Sequence, residues 1–255
     1  MSVLGQRLEL LYLLVVKELK VRYKSRFFGY LWALANPFAF AFVYWIAFKF
    51  IMRVEMENYA LYLITGMFPW FWLSAAVVQG TRCYVVNRSL VMKVTLPRAM
   101  LPLSNAVQEM AHFAFSLPVI IAFLMFAGGY ELDPAWLWQI PVLIALQIAF
   151  IYPLALLFAL INVYVRDMEY LVNLGFALLF FATPMIYPIT MVPEDYRLYF
   201  ELNPLYALME AWRSSFLRGT LPWRHAAYIA AFAAIAGVAS WLLYRRVAHK
   251  IADLL

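Results

Sequence analysis

Apolar residues gather in six runs long enough to cross a hydrocarbon core, near 28–52, 59–80, 105–127, 135–162, 169–188 and 225–244. Ahead of them, residues 6–24 read as one amphipathic helix: Leu8, Leu11, Tyr12, Val15 and Leu19 follow helical spacing. Lys17, Lys20, Arg22, Lys24 and Arg26 make its other side and its exit basic, the pattern of a helix lying in a membrane surface. A helix packed on the protein with a solvated charged face is the alternative. Between the fifth and sixth runs lies a stretch, 183–223, too apolar for an ordinary loop and broken by Pro184, Pro188, Pro193, Pro204 and Pro222. Irregular backbone at membrane depth persists only where protein buries it or it lines a wet cavity. The segment therefore predicts a re-entrant or surface element beside a pathway. Within it Asn203 is placed to cap a helix with Pro204 at its first position. Leu205, Leu208, Met209, Trp212 and Phe216 form an apolar stripe, Glu210 and Arg213 are spaced to pair, and Gly219 is placed to end the helix. A shorter helical turn is expected over 194–202.

Charge sets the orientation. With the N-terminus inside, the inner segments carry fourteen of the twenty basic residues, among them Arg82, Arg88, Lys93, Arg98, Arg166, Arg245, Arg246 and Lys250. Both termini are then cytoplasmic and the number of spans is even. A seventh crossing at 204–218 would put Arg245, Arg246 and Lys250 outside and bury Glu210 and Arg213, each at about 2.5–3.5 kcal/mol on insertion scales.

Composition narrows the class. Of 255 residues, 66% are hydrophobic and 13% charged, far from the balance of a soluble domain. The net charge of +6 sits at the ends of apolar runs instead of on one soluble face, so no nucleic-acid partner is expected. The single Cys83 excludes an internal disulfide and a cysteine-rich metal site. No cleavable signal peptide is expected, since no early apolar core with a small-residue cleavage site opens the chain.

No catalytic motif is present: there is no HExxH, GxSxG or phosphate-binding GxxxxGK[ST]. If the chain works in a pump, its nucleotide engine is another chain. Glu109 and His112 have the spacing of a carboxylate-bridged metal motif, but a single copy reads as a polar helix start, and no metal site is expected. Asn87, Arg88 and Ser89 form a glycosylation sequon on the side assigned to the cytoplasm, where it is silent. Few charges lie inside the runs, which disfavours ion channels and secondary transporters. Aromatics fill them instead, at 18% of the chain. Phe38, Phe42 and Trp45 share a helical face at i, i+4 and i+7. Such rings can stack on the C–H faces of a sliding glycan, or can simply face lipid and neighbouring helices. The basic inner loop 82–104 alternates Leu90, Val91, Val94 and Leu101 with Arg88, Lys93 and Arg98. It reads either as a lipid-surface loop or as a helix that docks in a partner's groove.

Five stretches in order carry a family resemblance: KSRFFGYLWALANPFAF (24–40), NRSLVMKVTLPRAMLPLSN (87–105), VRDMEYLVNLGF (165–176), TPMIYPITMVP (183–193) and NPLYALMEAWRSSFLRG (203–219). The chain resembles the permease subunits of polysaccharide-exporting ABC transporters, nearest the O-antigen and capsule exporters, with teichoic-acid exporters nearby. The resemblance implies an all-α integral membrane permease domain of six spans in the bacterial inner membrane. It would dimerise with a second copy and pair with two ATPase subunits that hold ATP and Mg, with no cofactor on this chain. It would export a lipid-linked glycan across the membrane. Residues 6–24 would be the interface helix, with Lys17, Lys20, Arg22, Lys24 and Arg26 near the lipid headgroup. Residues 87–97 would be the coupling helix that receives ATPase motion, through Asn87, Leu90, Val91, Val94, Pro97 and Arg98. Residues 193–218 would be paired periplasmic gate helices, with Asn203, Pro204, Met209, Trp212 and Arg213 in the gate. The first and fifth spans would line the channel, through Trp32, Phe38, Phe42, Trp45, Phe176, Phe180 and Tyr187. No appended domain to read glycan ends is expected, so that role would fall to the partner. The rivals are a drug- or lipid-exporting permease of the same superfamily and, further off, a polytopic enzyme of lipid-linked sugars or a secondary transporter.

Overall fold

The computed structural model describes residues 3–23, 31–51, 53, 56, 58–93 and 97–254. Lys24, Arg26 and Val94 lie outside the described residues, as do the side chains of Arg22 and Trp32. The described chain is helical in this order: α1 (Val3–Tyr23), α2 (Leu31–Trp45) running into a π-helical turn (Ile46–Ile51), α3 (Tyr59–Thr81), α4 (Cys83–Val86), α5 (Arg88–Lys93), α6 (Met100–Gly128), α7 (Trp136–Tyr164), α8 (Met168–Ala182), α9 (Glu194–Glu201), α10 (Pro204–Arg218), α11 (Trp223–Val247) and α12 (Ile251–Leu254). Short 3₁₀ turns precede α9 (Ile189–Met191) and α12 (Ala248–Lys250).

Four of the described helices are long and apolar enough to cross a membrane: α3, α6, α7 and the helix from Trp223 to Lys250. Two of the six expected spans are not single long α-helices in the described residues. The fifth, expected over 169–188, stops at Ala182; Thr183 is extended, at φ −105° and ψ 138°. Pro184 explains this, because the residue before a proline is driven from the helical region. Fifteen residues of α8 rise only about 22 Å, short of the ~30 Å hydrocarbon core. The first expected span is α2 with its π turn of six residues, Ile46–Ile51, a distortion that commonly marks functional positions.

α3 is the axis of the bundle. Leu63, Met67, Leu73, Ala76 and Val77 are wholly buried, and α2, α6, α7, α8 and α10 pack around it. Its residues dominate the main core, with Phe113 of α6, Phe150 of α7 and Trp212 of α10. A second core joins both ends of the chain: Leu14 of α1 meets Tyr84, Val91, Leu101, the end of α7 near Leu160, Val247 and Ile251. The two termini thus share one end of the bundle. The proline-broken segment occupies the other, where Trp136 Nε1 donates to the Ser215 carbonyl at 2.9 Å and Gln139 Nε2 to that of Gly219 at 2.8 Å.

α1 docks by an edge that the expected stripe omitted. Leu14 is buried and Leu10 packs beside it, while Leu8 and Tyr12 remain exposed. Lys17 pairs with Glu18 at 3.1 Å on the surface, where such a pair contributes about 0–1 kcal/mol, and Lys20 is exposed.

Candidate functional site

Between α2, α3 and α8 runs an open groove of about 490 Å³. α2 lines it with Phe40 and Tyr44, α3 with Trp70 and Phe71, and α8 with Phe176 and Phe180. Each ring is held by another. Trp70 meets Phe176 edge-on at 6.0 Å and Phe180 at 5.7 Å, Tyr44 tilts onto Phe180 at 5.6 Å, and Phe40 onto Phe71 at 5.6 Å. Such pairs hold ring orientation beyond what burial alone gives. The polar lining is sparse: Ser74, Gln79 and Asn173, with no carboxylate, histidine, lysine or arginine among the described lining residues. Gln79 Nε2 donates to Glu109 Oε1 at 2.7 Å, and Glu109 Oε2 lies 3.1 Å from His112 Nδ1. The Glu109 and His112 pair is buried between helices, and the described residues hold no cluster of three metal-ligating side chains.

Phe176 and Phe180 both line this groove, whereas the other aromatic candidates are divided. Phe38 packs away from it, edge-on to Phe68 at 5.1 Å and to Phe123 of α6 at 6.3 Å. Phe42 is exposed and stacks on Trp45 at 6.2 Å. The face of α2 turned to the groove is that of Phe40 and Tyr44. Spacing alone could not choose between two aromatic faces of one helix. Tyr187 lies in a second, more open hollow of about 820 Å³, with Phe181, Met191, Tyr196, Tyr199 and Phe200 around it.

The proline-broken segment is ordered by its own carbonyls. Arg213 is 2% exposed; its Nη1 donates to the Pro184 carbonyl at 2.7 Å, its Nη2 to that of Met185 at 2.8 Å, and its Nε to that of Tyr62 at 3.3 Å. Its guanidinium lies 3.8 Å over the Tyr62 ring, a cation–π contact. Tyr62 Oη donates to the carbonyls of Pro184 and Tyr187, and Tyr59 Oη to that of Ile186. Four successive carbonyls, 184–187, are met by side chains of α3 and α10. The expected pairing of Glu210 with Arg213 does not form: Glu210 pairs with Arg218, and the Arg213 guanidinium is turned to the carbonyls of the broken backbone.

The rest of α10 follows expectation. Asn203 Oδ1 accepts from Leu205 N at 2.9 Å, Pro204 starts the helix, and Gly219 ends it at φ 64°. Met209 and Trp212 are wholly buried. Trp212 Nε1 donates to Gln147 Oε1 at 2.6 Å and Gln147 Nε2 to the Pro69 carbonyl at 2.9 Å, tying α10 through α7 to α3. α9 differs: it buries no residue and exposes Tyr196, Leu198 and Tyr199.

At the other end, the expected helix 87–97 is α5, Arg88–Lys93, followed after 94–96 by a turn at 97–99. Asn87 breaks it from α4, its Nδ2 donating to the Cys83 carbonyl at 3.1 Å. Val91 is buried in the second core with Leu90 against it, so these two face their own chain. The outward face is Arg88, Ser89 and Met92. Pro97 is exposed, and Arg98 donates to the Ala248 carbonyl.

Compared with known proteins, residues 9–217 match the family model described as the ABC-2 type transporter. The chain belongs to that family. It is 37% identical over 252 residues to an O-antigen export system permease protein of Klebsiella pneumoniae, covering 99% of this chain and 97% of the relative. A protein of the same description from Myxococcus xanthus is 34% identical over 235 residues, 91% of this chain and 88% of the relative. A polysialic acid transport protein of Escherichia coli is more distant, 22% identical over 208 residues, 81% and 80% of the two chains.

Proposed function

We propose that this chain is the membrane permease subunit of an ATP-driven exporter of lipid-linked polysaccharide, of the O-antigen type. The observation that carries the reading is the end-to-end similarity to O-antigen export permeases. The chain carries no phosphate-binding loop, so ATP and Mg belong to a separate ATPase, two copies of which pair with a homodimer of the permease in the bacterial inner membrane. α2 with its π turn and α8 complete six spans, both termini are cytoplasmic, and residues 183–223 lie at the periplasmic side. The shared end of the termini and the excess of basic residues there support that orientation.

The chain performs no covalent step. The glycan passes along the groove of Phe40, Tyr44, Trp70, Phe176 and Phe180, where ring faces meet sugar C–H faces without demanding one hydrogen-bond register. A wall without fixed charge lets successive sugars slide. Lys17, Lys20, Arg22, Lys24 and Arg26 meet the anionic lipid-linked headgroup. The face of Arg88, Ser89 and Met92 receives the motion of the ATPase, and residues 193–218 close the exit. The test is complementation of a strain lacking its own O-antigen export permease. Supplying this chain with its ATPase restores surface glycan, and the purified chain alone hydrolyses no ATP. Retention of the glycan inside the cell, with drug resistance gained instead, refutes the reading in favour of a drug exporter.

A further inference from the structure

Arg213 is the most deeply buried charge among the described residues, and its guanidinium is met by three backbone carbonyls with no carboxylate hydrogen-bonded to it. A bundle tolerates a buried cation only where it is fully hydrogen-bonded, so removing any of those carbonyls from its reach is costly. The carbonyls belong to two different places: Tyr62 on α3, and Pro184 and Met185 just beyond the groove helix α8. α3 is shaped for this side chain. A Cβ on Gly66 would lie 2.5 Å from Arg213 Nη2 and 2.9 Å from its Cζ and Nε. A second bond closes the same junction, Asn203 Nδ2 to Thr183 Oγ1 at 3.0 Å. Beyond it the ties are of another kind. Arg197 donates to the carbonyls of Val192 and Thr190 and so holds α9 to its own preceding turn. That unit, 189–201, is joined to the rest through Pro188 and Leu202, with Tyr228 Oη on the Leu202 carbonyl at the surface.

We propose that Arg213 is a positioning residue that clamps α10 and the 183–187 turn onto α3 as one rigid body, so that movement at the exit during export is confined to residues 189–201. This rests on the export reading above and sharpens it: of the two helices assigned to the gate, α10 is the frame and α9 the moving flap. Breaking the clamp would strand a guanidinium and two or more carbonyls in apolar surroundings, whereas the unit 189–201 would withdraw a single buried side chain, Val192, and α9 itself none.

The experiment uses the assembled transporter with Cys83→Ala as background, since Cys83 is buried and its loss leaves no native thiol in this chain, and unsubstituted Thr183 and Asn203 in the same background control for oxidation of the ATPase. Thr183→Cys with Asn203→Cys places two thiols across the junction. Export is measured in the reduced and the oxidised form of this one variant. Equal export in both forms, with the disulfide confirmed by mass, is the expected result. Export abolished by oxidation and restored by reductant overturns the proposal, because α10 would then have to leave the end of α8. Failure of even the reduced and wild-type complexes to export glycan would instead count against the export reading. A second measurement addresses Arg213 directly. Gly66→Ala lowers export per folded complex about tenfold, the scale of one lost hydrogen bond to a charged group, and Arg213→Met, which loses all three, lowers it at least as much, while ATP hydrolysis persists. In the double variant Gly66→Ala adds no further loss, since the side chain it would displace is gone. Independent, multiplying losses overturn the assigned contact.

Discussion

Gln147→Leu tests how α10 is anchored, and its size follows from the structure. Gln147 is wholly buried within an apolar helix, its two amide atoms each engaged by a different element, the Pro69 carbonyl of α3 at 2.9 Å and Trp212 Nε1 of α10 at 2.6 Å. Leucine has a similar volume, so little cavity is created. What is lost is one donor and one acceptor. Trp212 Nε1 is then left among rings, with Phe113 at 5.0 Å and Phe216 at 5.7 Å. An unmet buried donor costs about 1–3 kcal/mol. Hydrogen bonds between membrane helices average nearer ~0.6 kcal/mol, with an upper value of ~1.7 kcal/mol. Together these place Gln147→Leu at about 1–2 kcal/mol of lost stability. Trp212→Phe removes the donor and also some packing, so it costs more. Combining them removes both ends of the bond, and the double variant should be more stable than the sum of losses by about 1 kcal/mol. The assay is reversible unfolding of purified protein in mixed micelles, across the four members of the cycle. Additive losses, or a neutral Gln147→Leu, would refute the account of α10 as tied through α7 to α3.

Two further outcomes follow from the groove and from the opposite end. Phe40→Ala and Tyr44→Ala together lose the ring contacts to Phe71 and Phe180, and Phe38→Ala loses those to Phe68 and Phe123, so both should destabilise by about 1–3 kcal/mol, but only the first should also cut export per folded complex; thermal unfolding and export measured side by side separate the two, and an export loss confined to Phe38→Ala would reject the face assigned to the channel. A photo-crosslinker at Met92 should capture an ATPase chain while one at Val91 captures only this chain; equal capture from both would show that α5 leaves the second core.

Much of this was legible in one sequence because the deciding signals are local. The Asn203 cap, Pro204 and Gly219 are rules of helix ends, and α10 begins and stops where they place it. The end of α8 is not marked by hydrophobicity, because apolarity continues to Tyr187 while the backbone obeys Pro184. Spacing alone pairs Arg213 with Glu210, because i, i+3 is the shortest pairing a helix offers. Its actual partners are carbonyls far away in sequence, a demand set by the break and invisible until the fold brings it close. The groove failed to appear for a similar reason: α2 has rings on more than one face, and only the packing of α3 and α8 selects Phe40 and Tyr44.

The choice of arginine and tyrosine at the break bears on how a wide conduit can be kept shut. A helix that stops inside a membrane leaves carbonyls without partners, and water is the usual remedy where the break lines a cavity. Water there would also wet the path beside the groove. In this chain Tyr59, Tyr62 and Arg213 meet the carbonyls of 184–187 directly, so each of these carbonyls has a protein donor. The same side chains come from α3 and α10, so the proposed clamp is also what covers the break. It follows that a substitution that loosens the clamp should admit water as well as misplace α10. Small-ion leakage through resting complexes carrying Arg213→Met, measured in sealed vesicles, should rise above that of the unsubstituted protein. A leak-free Arg213→Met complex would separate sealing from positioning and leave the closure to α9 or to the second copy.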